Sequence, residues 1–89
     1  MKVVINDCYG GFGLSKEAYE MLGLEWDGYG YADISRTDTG LVECVEKLAE
    51  KANGAHANLK VIDIPDDIKW NIETHDGREH IAEVHRKWY

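Results

Sequence analysis

Basic residues are scarce: the 89-residue chain has 10 Lys and Arg against 17 Asp and Glu, a net charge of −7. That balance disfavours non-specific nucleic-acid binding, which works by neutralising phosphates. Cysteine is nearly absent as well. Cys8 and Cys44 lack C-x-x-C spacing, so no disulfide framework is expected, and a reducing cytoplasm suits the chain. No apolar run approaches the roughly 20 residues of a membrane span. Met1-Lys2 leads straight into strand-like sequence rather than an apolar leader. Neither Gly-Lys-Ser/Thr nor a complete G-x-G-x-x-G occurs, because Gly11-Phe12-Gly13-Leu14-Ser15-Lys16 lacks the third glycine. Internal repeats and low-complexity segments are also missing.

Enough apolar sequence remains for one small folded domain, residues 1–89, although a chain this short buries only about 60–65% of its unfolded surface. Modest stability follows, and oligomerisation would add to it. The acidic balance reads either as solubility or as a surface that imitates nucleic-acid phosphates before a basic partner. The acidic residues form no long block, which weakens the second reading.

The stretch around which the chain is organised is Asn6-Asp7-Cys8-Tyr9-Gly10-Gly11-Phe12-Gly13-Leu14-Ser15. It follows the β-branched run Val3-Val4-Ile5 and precedes a helix-like run from Lys16, so it reads as strand, glycine-rich loop, helix start. Such a loop can offer backbone N–H groups to an anion, or it can simply turn tightly around Phe12 as a core anchor. Ser15 is placed to cap a short helix, Lys16 to Leu22, and Gly23 to stop it. In Leu24 to Ile34, Asp27-Gly28 signals a turn, and Trp26, Tyr29 and Tyr31 suit a stacking surface, a small core or a subunit interface.

Asp38 is the expected cap of the longest helix. Leu41, Val45, Leu48 and Ala52 share its apolar face, with Val42 and Ala49 beside them, and Gly54 ends it. Arg36 stands just before that helix, where a cation gains nothing from the helix dipole; an anion or a carboxylate partner would explain it, and an exposed, idle arginine is the other reading. Leu59 to Ile64 reads as a second strand, stopped by Pro65. The Asp66-Asp67 pair lacks the further oxygen ligands a divalent cation needs. Asp76-Gly77 signals a two-residue hairpin between Lys69–His75 and Arg78–Val84, with Ile72 facing Ile81, Trp70 facing Glu83 and Glu73 facing His80. His75 and His80 can share a hairpin face without a third ligand, so zinc is not expected. Cys8 as nucleophile, or Glu79 with Glu83 as a carboxylate pair, has no supporting partner in the sequence. The tail His85-Arg86-Lys87-Trp88-Tyr89 is basic and aromatic.

Taken together, Met1-Lys2-Val3-Val4-Ile5-Asn6, the Cys8 to Ser15 loop, Arg36-Thr37-Asp38, Leu59-Lys60-Val61-Ile62 with Ile64-Pro65-Asp66-Asp67, and Asp76-Gly77…His85-Arg86…Trp88 resemble a widespread family of small bacteriophage proteins. The resemblance implies action against host defences, in the cytoplasm of an infected bacterium. Two classes are relevant: oligomeric sponges for nucleotide immune signals, and acidic proteins that block a host effector.

The expected fold is α+β: a small mixed sheet with a C-terminal β-hairpin, covered by two helices, the first two strands lying parallel because helices connect them. The expected function is non-enzymatic: a homo-oligomeric binder of a phosphate-containing, nucleotide-like small molecule, with no cofactor and no metal. An acidic protein–protein inhibitor is the alternative, and a small metabolic enzyme the third reading. The candidate ligand-binding residues are Asn6, Tyr9, Gly11, Phe12, Ser15, Arg36, His85 and Arg86.

Overall fold

The structure, a computed structural model, describes residues 1–26, 28, 30 and 34–83. Asp27 of the expected turn, Tyr29 and Tyr31 of the expected aromatic surface, and the tail 84–89 with His85 and Arg86 lie outside the described residues.

The elements run β1 (Lys2–Asn6), α1 (Lys16–Leu22), α2 (Thr39–Leu48), a 3₁₀ turn (Ala49–Ala52), β2 (Leu59–Asp63), β3 (Trp70–His75) and β4 (Arg78–Glu83). The fold is a small α+β arrangement with a C-terminal hairpin. Local chemistry sets the helix ends. Ser15 accepts the Ala18 N–H and starts α1, and Gly23 at φ 72° ends it. Asp38 accepts the Leu41 N–H and starts α2.

The end of α2 departs from the periodicity. The α-helix stops at Leu48 rather than running to Gly54, because Ala49 takes φ 52° and tightens the next turn. The change redirects carbonyl groups: Ala52 accepts the Ser15 N–H at 2.9 Å and Lys51 accepts the Ser15 hydroxyl, while Gly54 donates to the Gly13 carbonyl at 2.9 Å. The end of this helical segment is thereby tied to the glycine loop. Leu41, Val42, Val45 and Ala52 are buried as their spacing requires, and so is Cys44; Ala49 is exposed. Burial pushes the Cys44 thiol above its ordinary pKa.

β1 and β2 pair antiparallel, with Val4 opposite Val61 and Ile5 opposite Lys60, not parallel as the helical connection suggested. A single crossover helix would return the chain to the end it left; two helices add one more traverse, so β2 enters from the other end. Nor do the strands join into one mixed sheet among the described residues. β3 and β4 form a separate two-stranded sheet, and the hairpin meets β1 through side chains.

Alternation then sorts the core into two layers. Val4, Leu59 and Val61 face the helices and join Leu14, Ala18, Tyr19, Leu41, Cys44 and Val45. Val3, Ile5, Ile62 and Ile64 pack instead with Ile68, Trp70, Ile72 and Ile81. The hairpin register is the expected one, with Trp70 opposite Glu83, Ile72 opposite Ile81 and Glu73 opposite His80. Asp76 at φ 52° and Gly77 at φ 87° make the turn, both on the positive side that a two-residue hairpin needs.

Gly77 is required twice. Its φ favours glycine, and a Cβ there would run into the Tyr9 carbonyl oxygen and the Gly11 nitrogen. Gly77→Ala should destabilise the chain by more than about 1 kcal/mol in urea unfolding. Gly11→Ala, at φ 91° with open space around it, should cost less. An unchanged midpoint for Gly77→Ala would show that the loop and the turn do not touch.

Candidate functional site

Two features converge where the glycine loop meets the hairpin. One is a buried polar knot and the other is an open cleft.

Asn6, at the end of β1, is fully buried, and every polar group on its side chain is engaged. Its Nδ2 donates to the carbonyls of Cys8 (2.7 Å) and Gly77 (2.9 Å), and its Oδ1 accepts the Asn58 N–H at 2.8 Å. Its main-chain N–H donates to Glu79 Oε1 at 2.9 Å. Glu79 is only 8% exposed and is held bidentately by Arg36, with Nη2 at 2.9 Å from Oε2 and Nη1 on Oε1. The Arg36 guanidinium also lies over the Phe12 ring, 3.6 Å from its centroid. A buried carboxylate is tolerable because the planar fork and the Asn6 N–H satisfy it.

The cleft opens beside this knot, between the β1–β2 sheet and the hairpin. It holds about 550 Å³ and is lined by Ile5, Asp7, Tyr9, Lys60, Ile62, His75, Arg78, Glu79 and His80. Strand alternation explains part of the lining: Asn6 turns into the knot and its neighbour Asp7 reaches the cleft, as Arg78 does, while Glu79 borders both. Asp7 bridges two cations, with Oδ1 2.7 Å from Arg78 Nε and Oδ2 2.5 Å from Lys60 Nζ. Lys60 and then Arg78 hold the Asp7 carboxyl below the ordinary aspartate range. Asp7, followed by Tyr9, holds the Arg78 guanidinium above its own. Tyr9 is 62% exposed, with Arg78 5.8 Å from its ring centroid. Isoleucines and tyrosine therefore supply apolar surface, and Lys60 and Arg78 supply donors for an anion.

The candidate residues from the sequence divide. Tyr9 lines the cleft. Asn6 and Phe12 belong to the knot, and the Arg36 guanidinium serves Glu79, the carboxylate partner its position called for. Ser15 caps α1 and bonds the 3₁₀ turn. Gly11 lies in the loop against Gly77, and His85 and Arg86 are outside the described residues. Lys60, Asp7, Arg78, His75 and His80 were not among the candidates. The legible signal for Lys60 was its place beside Ile62 on the face opposite Leu59 and Val61; for Arg78 it was its position directly after the turn. Nothing local places Asp7 between them. Among the described residues no group of three or more potential metal ligands comes together, and no helix is long and apolar enough to cross a membrane.

The chain matches no protein-family model, no curated protein and no solved structure.

The knot makes a stability prediction. Glu79→Leu alone strands the Arg36 charge and should cost about 3 kcal/mol in urea unfolding. The double change Arg36→Met with Glu79→Leu should recover much of that loss, because an apolar pair removes both charges while the methionine still covers Phe12. A double variant no more stable than Glu79→Leu would show that the pair does not carry the contact.

Proposed function

We propose that this chain is a non-enzymatic binder of a phosphate-containing, nucleotide-like small molecule, seated in the cleft between the two sheets. One observation carries the reading. In a chain of net charge −7, Lys60 and Arg78 come together beside an exposed tyrosine and over an isoleucine floor. Lysine and arginine take phosphate oxygens, and Tyr9 offers a face on which a base can stack. The glycine loop contributes Tyr9 and the main chain that fixes Asp7, whose N–H donates to the Asn58 carbonyl at 2.8 Å. The likeness to small phage proteins supplies the setting: sequestration of a host immune nucleotide in the infected cell.

Homo-oligomerisation belongs to the same proposal. Met21, Leu24 and Trp26 are exposed after or at the end of α1, and Met21 and Leu24 line a groove with Leu22 and Ile34 whose far rim carries Asp38 and Glu43. A second copy would cover this surface. Light scattering during size exclusion should report at least a dimer; a clean 10.1 kDa species at micromolar concentration would remove the idea.

The acidic balance favours a second reading, a protein–protein inhibitor that presents carboxylates to a basic host effector. Calorimetry separates the two. Against a panel of cyclic nucleotides and ADP-ribose derivatives, wild type should bind at least one member with a Kd below millimolar. Arg78→Ala should weaken that binding by about 1.5–3 kcal/mol, roughly ten- to a hundredfold, with the fold intact. Should no member bind better than millimolar, the inhibitor reading takes its place.

A further inference from the structure

The charges around the cleft, counted group by group, narrow the ligand class. Lys60 and Arg78 contribute two positive charges, and Asp7 removes one. Glu79 is matched by Arg36. His75 lies 3.6 Å from Asp76, and His80 lies 3.9 Å from Glu73, so neither histidine adds net positive charge, protonated or neutral. The local sum available to a ligand is therefore +1 at most.

Asp7 is also well placed to keep that sum low. Both of its oxygens are committed, each to a cation from a different sheet, and its side chain is 20% exposed while each cation is 51% exposed. Its main chain is pinned by the bond to Asn58 and by the fully engaged Asn6 before it. An incoming anion must either displace this carboxylate or sit beside it, and in both cases each added negative charge is opposed.

We propose that Asp7 is a selectivity residue: it occupies an anion's place between Lys60 and Arg78 and restricts the cleft to singly charged phosphodiesters over terminal phosphates. The inference rests on the ligand reading of the cleft. A phosphodiester carries one negative charge, the most that the local sum can balance. A terminal phosphate carries about −1.5 to −2 near pH 7 and leaves an excess facing Asp7.

The experiment is calorimetry at pH 7.5 with a matched pair of probes, 3′,5′-cyclic AMP and 5′-AMP, on wild type and Asp7→Asn. Wild type should favour the cyclic diester. Asp7→Asn should strengthen 5′-AMP binding by about fivefold more than it strengthens the diester, since the removed repulsion scales with ligand charge. An unchanged ratio, or weaker binding of both probes, would overturn the role of Asp7 while leaving the cleft as a ligand site. If neither probe binds wild type or Asp7→Asn, the selectivity role is overturned, and the ligand reading stands or falls with the wider nucleotide panel. Lys60→Gln gives an independent arm should Asp7→Asn fail to fold by circular dichroism. It lowers the local sum to zero and should weaken 5′-AMP more than the diester; equal losses would overturn the proposal.

Discussion

The rest of the structure depends on one buried carboxylate. Glu79 draws the Arg36 guanidinium and the Asn6 N–H onto itself, and so joins the hairpin to β1 and to the segment ahead of α2. The apolar contacts between the two sheets are thin by comparison: Trp70, Ile72 and Ile81 are only partly covered. A two-stranded ribbon is marginal by itself in water. A charge that cannot go unpaired gives the hairpin a specific place to dock, where a smooth apolar face would accept several.

The same knot builds the cleft at no separate cost in architecture. Along each strand, the residue that points into the knot is followed or preceded by one that points out. Fixing Asn6 fixes Asp7, and fixing Glu79 fixes Arg78. The glycine loop, which by itself suggested a phosphate cradle, serves mainly as a packing device. Gly10 lies against His56, Gly54 against Gly13 and Gly77 against the Tyr9–Gly11 backbone, where side chains would keep the main chains apart.

What could be read from the residues was local. Ser15 and Asp38 as caps, Gly23 as a stop and Asp76-Gly77 as the hairpin turn depend on a few neighbouring residues, and each took the expected role. Arg36 lies between the local and the distant. Its unfavourable place before a helix raised an anionic partner as one reading and an idle, exposed arginine as the other; the partner it has is 43 residues away. The antiparallel pairing of β1 with β2, the break at Ala49 and the meeting of Asp7 with Lys60 and Arg78 all depend on how distant segments pack. Spacing within a helix or strand carries no record of that.

The bonds of Asn6 also set an order of events during synthesis. Besides nearby Cys8, its partners are Asn58, Gly77 and Glu79, at separations of 52, 71 and 73 residues. β1 is translated before its pairing strand and before these polar partners, by more than fifty residues. The apolar run Val3-Val4-Ile5 must therefore wait on the ribosome without a native partner, and closing such long loops is slow. This fold completes itself only after residue 79 has been made, and until then its first strand has an apolar edge without its native cover.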